Sequence, residues 1–438
     1  MKIPRIMSET NLRAPLKFRV NDSLELRLEE GKTNIYVDGE LFEQCKFLLI
    51  NIPLEKAANF EEIDSIDEAS EKLSKSLEPH PFKESKTKIP PETEFWGHCS
   101  NLQVWHEHNY DSKLIHSNLA FPLLKKLTEL GDPLAKRVFK EEIAKRLESG
   151  YWPVMEYLIE EKYTEYLTRE EFLYSVLGND EQSQKEVSFI LELEKFPTIG
   201  FHLEKEVSPE YNNFVVRNWH IEELSIDVIE DLNEILPFIG DLKFLKKLHF
   251  RSGNLTNFPE SVGHLFQLEA LDLACNKLHS LPKTLKNLKL LRLLDLGENN
   301  FTEFPNVIQE ITSLEELDLG NNKLEKIPED IGYLINLRKL LLNNNHLKRL
   351  PDSIGQLKSL KYLDLFYNIE LKFLPKTFCK LQSLTELTFS YNTSKYFPEI
   401  ICELTSLEIL SLSNTKLKTL PNSILKLNKL KELYLKKI

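Results

Sequence analysis

The chain has 438 residues, of which 41% are hydrophobic and 28% are charged, and its formal net charge at pH 7 is −12. This length is typical of two or three domains, and the apolar content suffices for buried cores. The charge is uneven, because residues 1–210 carry a net −13 and residues 211–438 a net +1. An acidic half argues against nucleic acid or an anionic membrane surface as the main partner.

Cysteine usage and hydropathy point to a reducing compartment. The five cysteines are scattered and odd in number: Cys45, Cys99, Cys275, Cys379 and Cys402. They form no disulfide framework, which suits the cytoplasm. No segment approaches 18 consecutive apolar residues, and the first residues lack the apolar region of a signal peptide. We therefore expect a cytoplasmic protein that does not use a membrane.

The first 91 residues divide into two predicted segments. Residues 1–60 predict a small β unit, with two strands around Glu30-Gly31, a turn at Asp38-Gly39 and a third strand over 46–52. Residues 61–91 are acidic, polar and proline-bearing, which predicts a linker with a short helix near 66–76.

Residues 92–200 change to a helical period and predict an all-α module. Asp132 and the proline after it open a helix whose apolar stripe recurs at helical spacing: Leu134, Val138, Phe139, Ile143 and Leu147. Gly150 ends this helix and the next begins near Val154. Short helices joined by tight glycine turns favour either a bundle or a short α-solenoid.

One polar cluster in this module could carry chemistry. Its members are His98, Cys99, His106 and His108. A zinc site would need three or four of them to converge, and His98 and His106 are spaced to share a helix face. A Cys–His nucleophile would also need an oxyanion hole, which nothing in the sequence supplies. The alternative is packing around Trp96 and Trp105, which we favour.

The second half of the chain repeats with a fixed period. Eight prolines are spaced by 23 residues, with one step of 24: Pro259, Pro282, Pro305, Pro328, Pro351, Pro375, Pro398 and Pro421. Each unit follows the pattern L-x-x-L-x-L-x-x-N-x-L. A period of 20–30 residues indicates a solenoid, in which each unit buries its apolar face against its neighbours.

The residues of one unit show why the pattern folds. Strand alternation turns Leu271 and Leu273 inward and Asp272 outward. Asn276 ends the strand, and its amide can bond backbone groups that the turn leaves unpaired. Pro282 fixes φ at the start of the return segment. A column of aspartates recurs at the outward position and is predicted to be solvated or partner-facing rather than catalytic: Asp272, Asp295, Asp318 and Asp364.

This motif resembles the leucine-rich repeat family over residues 221–438, in the 23-residue form of intracellular Ras-pathway scaffolds. The fold class implied is α+β, with a parallel β horseshoe over 201–438 that follows the all-α module and the small β unit. A strand at Phe214–Val216 would cap the horseshoe. The segment 94–103 is also similar to one in archaeal leucine-rich repeat proteins with an N-terminal helical module.

The resemblance implies a non-catalytic adaptor or scaffold, possessing no cofactor, that binds a protein in signalling. A small GTPase or a phosphatase is the partner class that the family suggests. The sequence holds no phosphate-binding loop, dinucleotide fingerprint or nucleophile elbow. Two alternatives stay open: a metal-dependent or thiol enzyme in the helical module, and a structural subunit of a larger assembly.

The partner is predicted to bind the concave face of the horseshoe. The candidate residues are Arg338, Lys339, Asn343, Asn344, Tyr362, Asp364, Phe366, Tyr367 and Tyr391. Aromatic residues beside arginine are typical of binding hot spots. The 24-residue step from Pro351 to Pro375 spans the repeat that carries most of these aromatics, so we expect an irregular turn at the binding site.

Overall fold

The computed structural model describes the chain in seven stretches: residues 16–43, 90–196, 199–227, 236–251, 254–392, 398–414 and 420–436. The chain divides into two compact units, Met1–Thr168 and Arg169–Ile438. The predicted strand over 46–52 and the predicted helix near 66–76 lie outside the described residues.

The first unit opens with a four-stranded antiparallel sheet in chain order. Its strands are β1 (Leu16–Arg19), β2 (Leu24–Glu29), β3 (Lys32–Val37) and β4 (Glu40–Phe42). Glu30 and Gly31 both have positive φ, and so do Asp38 and Gly39. That backbone matches the twist of a two-residue hairpin, so the predicted β unit is confirmed. Strand β1 was not predicted.

Four helices follow in the first unit: α1 (Pro91–Glu107), α2 (Ser117–Glu129), α3 (Pro133–Leu147) and α4 (Trp152–Glu160). Asp132 caps α3, because its Oδ1 accepts the backbone N–H groups of Leu134 and Ala135 at 2.9 and 3.0 Å. From the predicted stripe, Phe139, Ile143 and Leu147 are fully buried. The predicted helical module is confirmed.

The second unit begins with two more helices, α5 (Arg169–Leu177) and α6 (Glu181–Leu193). The sequence placed both in one module with α1 to α4, whereas the structure places them in the unit that contains the repeats. The boundaries of the four predicted segments stay a prediction.

The described residues that follow in the second unit contain a 12-stranded sheet. Its strands are β5 (His202–Leu203), β6 (Asn213–Arg217), β7 (His220–Ile226), β8 (Lys247–Phe250), β9 (Ala270–Asp272), β10 (Leu293–Asp295), β11 (Glu316–Asp318), β12 (Lys339–Leu341), β13 (Tyr362–Asp364), β14 (Glu386–Thr388), β15 (Ile409–Ser411) and β16 (Glu432–Tyr434). Strand β6 runs antiparallel to β7, and β7 to β16 are parallel in chain order. The predicted parallel horseshoe is confirmed.

Stacked leucines form the core of the horseshoe. Leu294 pairs in register with Leu271 on one side and Leu317 on the other, and all three are buried. Each repeat proline has φ between −65° and −76° and precedes a 3-10 helical turn. Burying one leucine stabilises the fold by roughly 1.5–3 kcal/mol, so each repeat depends on its neighbours.

A ladder of buried asparagines joins one repeat to the next. Its members are Asn276, Asn299, Asn322, Asn345, Asn368 and Asn392. The Nδ2 of Asn322 donates to the carbonyls of Leu296, Leu319 and Gly320 at 3.0 to 3.2 Å. Its Oδ1 accepts the N–H of Phe301 at 3.0 Å. The predicted role of the repeat asparagine is therefore confirmed.

A buried carboxyl joins α6 to the first strand of the parallel series, β7. Glu186 is 0% exposed, and its Oε2 accepts the backbone N–H of Ile221 at 2.9 Å. His220 Nδ1 lies 3.3 Å from its Oε1, and the His220 ring stacks on Phe244 with centroids 3.8 Å apart. Burial raises the pKa of Glu186 to about 7.

We expect Glu186→Gln to remove a pH dependence from the stability of the second unit. The folded chain binds this proton more tightly than the unfolded chain. The stabilising contribution of the protonated carboxyl to the free energy of unfolding is therefore complete below pH 4.5 and is lost as the pH rises to about 7. Over that range the free energy of unfolding of the native chain should fall by about 3 kcal/mol relative to the variant.

Glutamine keeps an oxygen acceptor for Ile221, so the variant should fold. Urea unfolding of both proteins at pH 4.5 and pH 7.5 measures the difference. His220, 3.3 Å from Glu186, and Asp180 are the other titratable groups that act on this carboxyl. Equal pH dependence in the two proteins would show that Glu186 does not titrate as inferred.

Candidate functional site

The concave face consists of the solvent-facing strand positions of the parallel sheet and the turn residues that follow them. Corresponding residues of successive repeats lie side by side on this face, as Glu316, Lys339 and Tyr362 do. Neighbouring strands are about 4.8 Å apart, so each kind of position forms a continuous column across the repeats.

The first residue of the aspartate column, Asp272, is buried and is paired with basic side chains. Asp272 is 3% exposed, so the prediction that it is solvated was wrong. Arg251 Nε lies 2.8 Å and His249 Nδ1 3.2 Å from its Oδ2, and these side chains cover it. Burial alone would raise the pKa of Asp272, but the hydrogen bonds from His249 and Arg251 outweigh it, and the pKa lies below its ordinary value.

The other three aspartates of the column cap the turns that follow them. Oδ1 of each accepts the backbone N–H two residues later, at 2.9 Å for Asp295, 2.7 Å for Asp318 and 2.8 Å for Asp364. Burial raises the pKa of all three carboxyls, that of Asp295 to about 6. A turn-capping role explains their recurrence without any catalytic function.

The candidate cations Arg338 and Lys339 form ion pairs with glutamates of the preceding repeat. Arg338 Nη1 lies 3.4 Å from Glu315, and Lys339 Nζ lies 3.7 Å from Glu316. Arg292 approaches Glu315 from the other side at 3.6 Å. These exposed pairs contribute about 0–1 kcal/mol each, so both cations could still exchange their partner for a ligand.

The candidate asparagines belong to the turn after β12. Asn344 Nδ2 donates to Asn321 Oδ1 of the previous repeat at 2.7 Å. Asn343 is half-buried, and its Oδ1 would lie 2.4 Å from a Cβ added at Gly320. The glycine is therefore needed at that position for close stacking of the repeats.

Three aromatic side chains meet at the turns after β13 and β14. Phe366 and Tyr391 are 5.0 Å apart between centroids, and Tyr367 lies 6.1 Å from each. Tyr367 is 45% exposed and Tyr391 41%, while Phe366 is half-buried. We call Phe366, Tyr367 and Tyr391 the aromatic cluster. Tyr362 of β13 is half-buried, and burial raises its pKa.

The two tyrosines of the cluster occupy an unusual backbone position. The residue before each ladder asparagine has a left-handed backbone with φ between +51° and +58°: Cys275, Glu298, Asn321, Asn344, Tyr367 and Tyr391. Asparagine tolerates this conformation, whereas a bulky side chain is strained there by about 1 kcal/mol or more. Both tyrosines were predicted from sequence as binding residues, but their left-handed backbone was not, although their alignment with Asn321 and Asn344 indicates it.

The 24-residue step produces the predicted irregular turn. In the regular repeats the residue two after a ladder asparagine donates to the next ladder asparagine, as Leu347 does to Asn368. In the irregular repeat Asn368 itself donates from its backbone to Asn392 Oδ1, at 2.8 Å. The extra residue leaves Ile369 and Phe373 exposed by 44% and 75%.

The candidate metal ligands of α1 do not form a metal centre. His98 and Cys99 are buried, whereas His108 Nδ1 lies 2.9 Å from the carbonyl of Val104. Burial raises the pKa of Cys99 to about 12, the opposite of an activated nucleophile. Trp105 is fully buried against Tyr110. Across residues 16–43 and 90–196, as elsewhere in the described chain, no three His, Cys, Asp or Glu side chains are placed to hold a metal ion.

A family model describing a leucine-rich repeat region matches residues 215–340 and 325–438. These matches together span half of the chain. The chain belongs to the leucine-rich repeat family. Proteins of this family typically mediate protein–protein interaction, and the repeat domain is a non-enzymatic fold. The resemblance to archaeal proteins and to intracellular Ras-pathway scaffolds stays a prediction.

Solved leucine-rich repeat structures are similar to about half of the chain. A leucine-rich repeat protein of Leptospira interrogans is 28% identical over 52% of this chain and 72% of its own, with a TM-score of 0.32. Internalin C2 of Listeria monocytogenes is 23% identical over 44% and 82%, with a TM-score of 0.39. The Arabidopsis receptor kinase HAESA, solved with a peptide hormone and a co-receptor, is 23% identical over 58% and 45%, with a TM-score of 0.45.

No curated protein is significantly similar to this chain.

Among the helices described for this leucine-rich repeat protein, none has the length and apolar character required to cross a membrane.

Proposed function

We propose that this leucine-rich repeat protein is a non-catalytic adaptor in the cytoplasm and that its aromatic cluster binds a protein partner. The observation that carries the proposal is the pair of exposed tyrosines, Tyr367 and Tyr391, at left-handed positions. Three other repeats place asparagine there, at Asn321, Asn344 and Asn414. Strain and exposed aromatic surface both oppose stability, so a gain in binding is the simplest reason to keep them.

The chemistry of the cluster suits a binding hot spot. Tyrosine and phenylalanine bring a large apolar area with few rotatable bonds, and tyrosine adds a hydroxyl for hydrogen bonding. The remaining candidate residues would surround it as a polar rim: Arg338, Lys339, Asn343, Asn344, Tyr362 and Asp364. The ten parallel strands span on the order of 40 Å, enough for an interface of about 800 Å² on each partner.

The class of partner is proposed from the sequence resemblance alone. A small GTPase or a phosphatase would fit a scaffold role in signalling. The cytoplasmic location is supported by Cys99, Cys275, Cys379 and Cys402, which are free thiols. The proposal involves no cofactor, nucleic acid or membrane.

Tyrosine footprinting of the complex tests the proposal. The partner is first isolated by affinity capture with the full chain from an extract of the source organism, and the complex is then treated with an iodinating reagent. We expect Tyr367 and Tyr391 to be protected at least several-fold by the partner, because ring burial in the interface blocks the reagent.

Tyr333 and Tyr157 are internal controls, because they are 60% and 51% exposed and lie outside the cluster. Both should react at the same rate in the free and the bound chain. Protection of the control tyrosines without protection of Tyr367 and Tyr391 would place the partner elsewhere and overturn the proposal.

A further inference from the structure

We propose that the partner presents an arginine whose guanidinium stacks on the aromatic cluster and pairs with Asp364. This inference rests on the proposed function, because it specifies the chemistry of the partner at the same surface. The aromatic cluster supplies the contact surface, and the charges around it determine which type of side chain of the partner binds there.

The carboxylates beside the cluster differ from those of the earlier repeats. Asp272 pairs with Arg251, and Glu316 pairs with Lys339. By contrast, Asp364 and Glu386 form no ion pair with any basic side chain of the described chain, and Asp318 has only the charge of Lys339 nearby, which Glu316 shares. The negative charge of Asp364 and Glu386 therefore lacks an ion-pair partner within the described chain.

The negative charges of these three carboxylates act on one side chain. Tyr362 has its pKa raised first by burial and then by the negative charges of Asp364, Glu386 and Asp318. Burial likewise raises the pKa of Asp364, and the charge of Asp318 adds to it. A partly buried negative surface, in which Asp364 and Glu386 form no ion pair, favours a cation from the partner and disfavours an acidic segment.

Asp364 also has an oxygen available for a ligand. Its Oδ1 accepts the N–H of Phe366 at 2.8 Å, which fixes the carboxylate beside the cluster. Its Oδ2 accepts no hydrogen bond from the residues that the structure describes. Asp364 precedes Phe366 by two residues and Tyr367 by three in the sequence. An N–H donor of the partner that binds this oxygen would therefore lie beside the aromatic cluster.

Arginine fits this combination better than lysine. Its planar guanidinium can stack on an aromatic ring while its edge donates to a carboxylate, whereas an ammonium group is a compact point charge. Two exposed tyrosines and a carboxylate in the same turn region supply both contacts. The repeats up to β12 offer no aromatic pair at the left-handed position, where Cys275, Glu298 and the asparagines stand.

Selection from a random peptide library displayed on phage tests the inference with the full chain as bait. Bound phage that also bind the Tyr367→Asn/Tyr391→Asn variant are removed. We expect the remaining peptides to share an arginine. Replacing it by citrulline, which is neutral but nearly the same shape, should weaken binding about tenfold, as should Asp364→Asn.

Asp352→Asn is the matched control, because Asp352 is exposed in a 3-10 turn away from the concave face and the charge change is the same. It should leave the affinity unchanged. Peptides that need the tyrosines but carry no shared arginine, or that are insensitive to Asp364→Asn, overturn this inference and leave the proposed function intact. Failure of the library to yield any peptide that depends on the tyrosines contradicts both.

Discussion

Replacing Asn322 with alanine is expected to lower the free energy of unfolding by about 3–5 kcal/mol. The side chain is 6% exposed and makes four hydrogen bonds to the backbone of two neighbouring repeats. Alanine leaves the buried N–H of Phe301 without its side-chain partner, and it removes one of the two side-chain donors to the carbonyls of Leu296 and Leu319. Urea unfolding followed by circular dichroism measures the loss.

The expected loss of stability is large because the hydrogen-bond partners of Asn322 are buried. An exposed backbone group that loses a partner bonds to water instead, whereas a buried one loses about 1–3 kcal/mol. Phe301 is itself 0% exposed, so water cannot replace the amide without opening the stacked leucines.

Asn336→Ala is the matched control for this prediction. Asn336 is exposed and makes one hydrogen bond, from Nδ2 to the carbonyl of Thr312 at 2.9 Å. Its loss should lower the free energy of unfolding by no more than about 1 kcal/mol. Similar losses in the two variants would mean that the buried ladder does not hold the repeats together as described.

The double substitution Tyr367→Asn/Tyr391→Asn is expected to separate binding from folding. Affinity for the partner should fall at least a hundredfold, because truncating two hot-spot aromatics costs about 2 kcal/mol or more each. The free energy of unfolding should stay equal or rise by about 1–2 kcal/mol, since asparagine is accepted at a left-handed position. Denaturation and binding measured on the same preparation test both expectations.

Asparagine is a sharper replacement here than alanine. The protein already uses it at Asn321 and Asn344 in the same conformation, so the variant copies a neighbouring repeat. Tyr333→Asn, in a 3-10 turn outside the cluster, controls for the loss of an exposed tyrosine and should leave the affinity unchanged. A double variant that loses stability together with binding would show that the tyrosines have a structural role.

The repeats could be predicted from sequence because one pattern occurs many times. Leu271, Asn276 and Pro282 each have one physical role in the repeat, and the structure assigns them those roles. The irregular turn after Asn368 was predictable for the same reason, since one extra residue in a fixed period must leave the turn altered.

Features set by contacts between distant residues could not be predicted. Alternation places Asp272 outward, but only the arrangement of Arg251 and His249 in the preceding repeat shows that it is covered. Glu186 resembles any glutamate of an acidic helix, and its burial depends on β7, which is 35 residues away at Ile221. The division between α4 and α5 likewise follows from packing rather than composition.

The most direct test of the central claim is a calorimetric titration of the isolated partner into the native chain and into the Tyr367→Asn/Tyr391→Asn variant. We expect saturable binding to the native chain and an affinity at least a hundredfold weaker for the variant, with no fall in its melting temperature. Equal affinity for the two proteins would contradict the assignment of the aromatic cluster as the binding site.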